Sequence, residues 1–239
     1  MSTVSNQQQA PERAPIMTMT LRGCESACAA AATVADALGT SSPERFRGVR
    51  EREEELDTLD REINEAVTVA VTHGSSGPEA QELLACLKLV IELERICDLL
   101  LGFANRAQAI FPRLEPHDIK DQATMAALLH KMLTGASEAF RKRDVDAAMS
   151  VLRADMEMDR FRNLLFVRHI ENPENAPRQE SFHVVFMTQE LERAGDHAKN
   201  IAEEVVHLVT GRSMRHLLRA KDKPDEVRFL DFMRRRGGR

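Results

Sequence analysis

The chain has 239 residues and a mass of 26.9 kDa, which suits one large domain or two of about 100 residues each. Charged residues make up 30% and hydrophobic residues 43%, a composition typical of a globular protein rather than a disordered chain. Tyr and Trp are absent and aromatic residues reach only 4%. This argues against an all-β sandwich or barrel, and against a protein that stacks aromatic side chains on single-stranded nucleic acid.

The net charge of −5 is distributed unevenly along the chain. Residues 212–239 contain 10 Lys or Arg and 4 Asp or Glu, a net charge of +6. Residues 1–211 contain 23 basic and 34 acidic residues, a net charge of −11. An acidic body with a short basic tail favours a cation or a basic protein surface as partner, and argues against binding to a nucleic-acid backbone.

The cysteines and the N-terminus predict a reducing, cytoplasmic location. The four cysteines form no C-x-x-C pair, and residues 1–15 are polar, without the apolar core of a signal peptide. We therefore expect the thiols to serve as small apolar side chains. No run of 18 uninterrupted apolar residues occurs, so we expect no transmembrane helix.

The chain reads as a leader, six helices and a tail. Residues 1–15, rich in Gln, Ser and Pro, predict a flexible leader. Helical patterns separated by short breaks follow at about 17–38, 43–73, 78–111, 118–141, 144–171 and 177–210. No segment alternates with the period of a strand. Long helices joined by short turns predict an all-α fold of antiparallel bundles.

Capping residues and prolines set the predicted helix boundaries. Gly39 and Gly211 are suited to end the first and last helices, and Ser42-Pro43 to begin the second. Asp118 and Asp144 are predicted to cap the fourth and fifth helices. Asn172-Pro173 is predicted to end the fifth, since proline cannot continue a helix.

The break at Pro112–Pro116 places three helices on each side. We therefore predict two tandem three-helix bundles, at 16–111 and 117–211, followed by a basic tail at 212–239.

The two predicted bundles resemble each other in sequence. Residues 92–98 read E-L-E-R-I-C-D, and residues 190–196, at an offset of 98, read E-L-E-R-A-G-D. Apolar residues spaced alternately three and four apart repeat at the same offset, as in the seam of a helical bundle. Cys97 and Gly195 occupy equivalent positions on this seam, and glycine inside a helix favours close approach of a neighbouring helix.

Two helices in each half carry a pair of carboxylates four residues apart. These pairs are Glu53 and Asp57, Glu94 and Asp98, Asp155 and Asp159, and Glu192 and Asp196. Residues four apart share a helix face, so the two carboxylates of each pair repel each other unless a nearby positive charge offsets the repulsion. A cation held between two neighbouring helices is one solution. Solvated faces, or ion pairs with Arg95 and Arg193, are the alternatives.

Residues 192–203 read E-R-A-G-D-H-A-K-N-I-A-E and resemble the signature of the PhoU family of phosphate-specific transport regulators, roughly E-R-x-G-D-H-x-x-N-I-A-E. Residues 94–98 resemble its first-half copy, and the likeness extends over about 17–211. Beyond the carboxylates, the motif residues are Arg95, Arg193, Gly195, His197 and Asn200. Cys97 replaces a usual glycine, and Glu79-Ala80-Gln81 replaces an Asp-Leu-Arg turn, so the second half is expected to match the family better.

The resemblance implies a homodimer of two three-helix bundles per chain, with iron or zinc clusters bound by the four carboxylate pairs. It also implies a cytoplasmic negative regulator of phosphate uptake. Such a protein would contact the ATPase subunit of the phosphate ABC transporter and a sensor histidine kinase, reaching the membrane only through these partners. It would bind no nucleic acid.

Two other classes of function are possible from the residues. Ferritin-like di-metal proteins use two Glu-x-x-His motifs on different helices. Here Glu180/His183 and Glu204/His207 lie on one predicted helix, about 36 Å apart, so they cannot share a site within one chain. A metal-free helical scaffold would leave the carboxylate pairs solvated.

No nucleophile elbow, P-loop or dinucleotide motif is present, so no catalytic residue is predicted. His197 is expected to be structural.

Overall fold

The computed structural model describes residues 13–171 and 179–212. Six α-helices follow one another: α1 (Arg13–Gly39), α2 (Arg47–Thr72), α3 (Gly77–Ile110), α4 (Pro116–Lys142), α5 (Val145–Phe166) and α6 (Gln179–Thr210). Short 3₁₀ turns at Pro43–Phe46 and Phe111–Arg113 precede α2 and α4, and a π-helical segment, Val167–Glu171, follows α5. No strand occurs in these two ranges, and the all-α prediction is confirmed.

Several predicted features lie outside the described residues: the leader as far as residue 12, the Asn172-Pro173 stop and the tail from residue 213. Inside them, α1 begins at Arg13 rather than Met17. Pro15 falls in its first turn, where the missing N–H would have no intrahelical acceptor, so the helix tolerates it. The second helical pattern begins as a 3₁₀ turn, and Ser42 makes no side-chain capping bond there.

Asp144 caps α5 as predicted. Its Oδ1 accepts hydrogen bonds from the backbone N–H groups of Asp146, at 2.9 Å, and Ala147, at 3.1 Å. These are two of the amide groups at a helix start that lack an intrahelical acceptor. Gly211 follows α6 with φ +70°, a left-handed conformation that suits glycine.

The prediction that Asp118 caps α4 is wrong. The helix begins at Pro116, and Asp118 lies in the first turn with its side chain 3% exposed. Burial alone would raise the pKa of this carboxyl, but the His169 hydrogen bond and the neighbouring His and Arg charges hold it below its usual value. The ionised Oδ1 therefore accepts from His169 Nε2 at 2.9 Å, and Arg168 Nη1 lies 3.4 Å away. Asp118 thus fastens the π-helical segment to the start of α4.

Each half of the chain is a three-helix bundle, and the two bundles share one core. Within the halves, α1 packs against α2 and α3, and α6 packs against α4 and α5; between the halves, α3 packs on α6 and α1 on α4. Lys88 pairs with Glu204 at one end of the α3–α6 contact, and Arg113 pairs with Glu180 at the other, so these helices run antiparallel. The buried apolar side chains of both halves form one continuous cluster.

The seam residues pack as the repeat predicts. Cys97 and Gly195 are both buried, and a Cβ at Gly195 would lie 3.3 Å from Met158 Cγ, so α5 and α6 do approach closely there. Burial raises the pKa of Cys24 to about 12, consistent with a thiol that serves as an apolar side chain. No helix in the described part of the chain has the length and hydropathy needed to span a membrane.

Replacing Asp144 with alanine should lower the free energy of unfolding by about 1 kcal/mol, because two amide groups at the start of α5 lose their acceptor. Urea unfolding followed by circular dichroism would measure this. Ser42→Ala is the matched control, since Ser42 precedes a helical turn without capping it, and should change stability by less than about 0.5 kcal/mol. Equal effects of the two substitutions would contradict the capping role.

Candidate functional site

The fold brings the carboxylate pairs of α2 and α3 together. Burial and the charges of Asp57 and Asp98 raise the pKa of Glu53, which lies on α2. Burial, Asp98 and the α2 residues Asp60 and Asp57 raise the pKa of Glu94, which lies on α3. We call this group the first acidic cluster: Glu53, Asp57, Asp60, Glu94 and Asp98. Four of its members were predicted from the sequence, and Asp60 was not.

The first acidic cluster has little internal compensation for its charge. Among the described residues, its ion pair joins Arg95 Nε to Glu94 Oε2 at 3.5 Å, and the Arg95 side chain is 60% exposed. The charge of Arg50, also exposed, acts on Glu53 without forming a recorded ion pair. Because water screens these exposed arginines, burial and the neighbouring carboxylates still raise the pKa of Glu53 and Glu94.

The corresponding pairs of α5 and α6 also meet. Burial raises the pKa of Glu192 on α6, and so do the negative charges of Asp196, Asp159 and Asp155. We call this group the second acidic cluster: Asp155, Asp159, Glu192 and Asp196. The side chain of Asp155 is only 9% exposed, and those of Asp159 and Asp196 lie at the surface.

Two cations of the chain itself lie within the second acidic cluster. Lys199 Nζ donates a hydrogen bond to Asp155 Oδ2. Burial works against its charge, yet the Asp155 carboxylate and its neighbours raise the pKa of Lys199. Arg162 Nε lies 3.3 Å from Glu192 Oε1, and its Nη2 lies 3.7 Å from Asp159 Oδ1. The sequence suggested Arg193 as the ion-pair partner of this cluster, but its charge acts on Glu190, where it opposes the rise in pKa that burial causes.

The repeat offsets identify the first-half equivalents of these two cations, which the sequence reasoning missed. Lys199 corresponds to Leu101 at the α3–α6 offset of 98. Arg162 corresponds to Asp60 at the α2–α5 offset of 102. One half therefore has a lysine and an arginine where the other has a leucine and an aspartate. Comparing the halves position by position would have revealed this difference.

The rest of the signature joins the two halves. His197 Nδ1 lies 2.6 Å from Glu92 Oε2 on α3, and Asn200 Nδ2 donates to the same oxygen at 3.1 Å. His197 thus contacts α3 from α6, while its structural role stays a prediction. The glutamates of the two Glu-x-x-His motifs also form ion pairs between the halves. Glu180 Oε1 lies 3.3 Å from Arg113 Nη1, and Glu204 Oε1 lies 2.9 Å from Lys88 Nζ.

The two acidic clusters differ in how well they suit a metal ion. Over residues 13–171 and 179–212, no three His, Cys, Asp or Glu side chains converge as metal ligands. In the first acidic cluster, however, carboxylates of two helices act on one another with only exposed arginines nearby, a donor chemistry that fits a hard or borderline cation. In the second, Lys199 and Arg162 already supply positive charge. The two clusters therefore differ in the positive charge that the chain itself supplies.

Comparison with known proteins places both clusters in a recognised domain. The family model described as the PhoU domain matches residues 21–107 and 123–205. The phosphate-specific transport system accessory protein PhoU homolog of Zymomonas mobilis is 29% identical over 190 residues, covering 78% of this chain and 80% of that protein. The homolog of the same name from Pseudomonas aeruginosa is 31% identical over 186 residues, covering 75% and 77%. The crystal structure of PhoU from Pseudomonas aeruginosa superposes with a TM-score of 0.75 at 26% identity, covering 83% of this chain and 97% of that one.

Relieving the repulsion at Glu94 should stabilise the metal-free protein. In EDTA at pH 7, Glu94→Gln should raise Tm by about 1 °C, the effect of removing a few tenths of a kcal/mol of like-charge repulsion. Because the folded-state pKa of Glu94 is raised, the native protein takes up a proton there more readily than the unfolded chain as pH falls. The wild type thus regains stability toward pH 5, and the advantage of the variant should shrink.

The control for this experiment is Glu138→Gln. Hydrogen bonds from Lys142 and Arg141 lower the pKa of Glu138, so neutralising it should lower Tm rather than raise it. Differential scanning fluorimetry at both pH values measures the two variants side by side. A Glu94→Gln variant that is less stable than wild type at pH 7 in EDTA would show that the repulsion is compensated.

Removing the His197 imidazole should weaken the contact between the halves. His197→Ala should lower the free energy of unfolding by about 1–2 kcal/mol, the range for a partly exposed hydrogen bond to a charged group. A double-mutant cycle with Glu92→Gln, followed by urea unfolding, isolates the interaction. The loss should be smaller in the Glu92→Gln background. Strictly additive effects would exclude a direct bond between the two side chains.

Proposed function

The chain belongs to the PhoU family, and from this we propose that it regulates phosphate transport as an accessory protein, by contact with other proteins and without catalysis of its own. The observation that supports this most directly is that the PhoU domain model matches both halves of the chain. The matched residues include all four carboxylate pairs and the whole 192–203 signature. The curated relatives carry the name of accessory proteins of the phosphate-specific transport system.

The proposed partners are the ATPase subunit of the phosphate ABC transporter and a sensor histidine kinase. In this proposal the protein acts in the cytoplasm as a homodimer, and it approaches the membrane only through these partners. When phosphate is abundant, it suppresses both uptake and the starvation response. The net charge of −11 over residues 1–211 supports recognition of basic protein surfaces.

The first acidic cluster is the proposed metal site, with iron or zinc as the ion. Glu53 and Asp57 from α2, and Glu94 and Asp98 from α3, would hold it. The ion would supply positive charge where the chain supplies little. The carboxylates would then fix α2 against α3, because each helix contributes ligands to the same charge. With the ion bound, α2 and α3 would form a rigid surface that a partner protein could bind.

A starvation-response reporter tests the regulatory role. A strain that lacks the gene, grown with abundant phosphate, should show high alkaline phosphatase activity, and the wild-type gene should restore low activity. Low activity in the deletion strain would contradict the proposal and leave a helical scaffold of other function.

The same reporter tests the metal site. A Glu53→Gln/Asp98→Asn variant should fail to restore repression, whereas Glu138→Gln, an exposed change away from both clusters, should restore it fully. Immunoblots must show equal protein levels for the comparison to hold. Full repression by the Glu53→Gln/Asp98→Asn variant would show that the first acidic cluster is dispensable.

A further inference from the structure

We propose that the two acidic clusters are unequal: Lys199 and Arg162 are built-in counter-ions of the second, which takes no metal, so that any metal ion binds at the first alone. The division between metal-binding and metal-free halves rests on the proposed metal site. The role of Lys199 and Arg162 as built-in counter-ions stands on the structure of the second acidic cluster by itself.

Lys199 is placed as a counter-ion rather than as a surface lysine. Its ammonium donates to Asp155, whose side chain is only 9% exposed, and the Lys199 side chain is itself 29% exposed. The charges of Asp196 and Glu203 reach the same ammonium. A buried carboxylate without a partner is costly, so this lysine compensates the member of the cluster that water cannot solvate.

Arg162 lies on the outer side of the same cluster, with its side chain 44% exposed, so water screens its charge more than that of Lys199. Its guanidinium lies between Glu192 on α6 and Asp159 on its own helix, at 3.3 Å and 3.7 Å. Because five N–H donors radiate from a planar group, one arginine can bridge two carboxylates. Together the two cations reach three of the four carboxylates directly, and Lys199 acts electrostatically on the fourth, Asp196.

The first acidic cluster has no positive charge at the two equivalent positions. Leu101 offers no charge where Lys199 stands, and Asp60 adds a carboxylate where Arg162 stands. Relative to the second cluster, the first therefore lacks two positive charges and carries one more negative charge. A metal ion entering the second cluster would have to displace an ammonium from a buried carboxylate while repelled by a neighbouring guanidinium. At the first, the ion pair among the described residues is that of the exposed Arg95 with Glu94, and no lysine has to be displaced from a carboxylate there.

Metal content of matched variants tests the inequality. The full chain, stripped with EDTA and then dialysed against Zn²⁺, would be analysed by inductively coupled plasma mass spectrometry; an anaerobic series would use Fe²⁺. Asp98→Asn should lose most of the metal bound by the wild type, whereas Asp196→Asn, its equivalent in the repeat, should bind as much as the wild type. Comparable loss in both variants would overturn the proposal.

Removing the counter-ions should open the second acidic cluster. A folded Lys199→Gln/Arg162→Gln variant should bind about one metal ion more than the wild type, and adding Asp196→Asn should abolish that gain. A variant that folds, by circular dichroism, yet gains no metal would show that the two cations do not exclude it.

A metal-free experiment separates the counter-ion role from metal binding. In EDTA, Lys199→Gln should lower Tm by on the order of 5 °C, because Asp155 is left buried and unpaired. Asp155→Asn should reverse much of this loss in the Lys199→Gln background. Lys88→Gln is the control, since Lys88 also pairs with a carboxylate, that of Glu204, but its side chain is 50% exposed, and it should change Tm by no more than about 2 °C.

Equal effects of Lys199→Gln and Lys88→Gln would overturn the counter-ion role. A wild-type chain that binds no metal at either cluster would instead contradict the proposed metal site, while the stability experiment would still decide the role of Lys199.

Discussion

The antiparallel contact between α3 and α6 determines where every other feature of this protein lies. These are the only helices among the six that each carry a core face, a face toward the other half and a carboxylate pair. Beside its buried apolar stripe, the contact between them carries polar interactions from the Lys88–Glu204 ion pair to the Arg113–Glu180 ion pair, with Glu92 bound by His197 and Asn200 between. Because α2 and α5 pack on these same helices, the seam fixes the positions of both acidic clusters.

Local sequence patterns predicted the helices well because their causes are local. Period, proline and glycine placed six helices with boundaries close to those observed, and Asp144 caps α5 as its position suggests. Asp118 shows where this reasoning stops. An aspartate near a helix start looks like a cap in sequence, but what binds Asp118 is a pair of residues about fifty positions later, Arg168 and His169, in a π-helical segment that no pattern indicated.

The acidic clusters were likewise predicted only in part: the sequence identified their carboxylates but not the cations beside them. The spacing of the carboxylates and their repetition identified both groups, since residues four apart share a helix face. The counter-ions were missed because the two halves were compared for their similarities. Lys199 stands inside the most recognisable motif of the chain, yet its importance lies in the contrast with Leu101. Where two halves of a duplicated fold share carboxylates but not cations, their chemistry differs even though their backbones match.

The shared core also constrains how the chain can be made. On the ribosome, the first bundle emerges complete while α4 and α6 are still unsynthesised or inside the exit tunnel. The faces of α1 and α3 that later pack on α4 and α6 are then uncovered. The first acidic cluster adds repulsion between α2 and α3 at this stage. The nascent N-terminal half therefore exposes apolar faces of α1 and α3 until α4 and α6 have been synthesised to cover them.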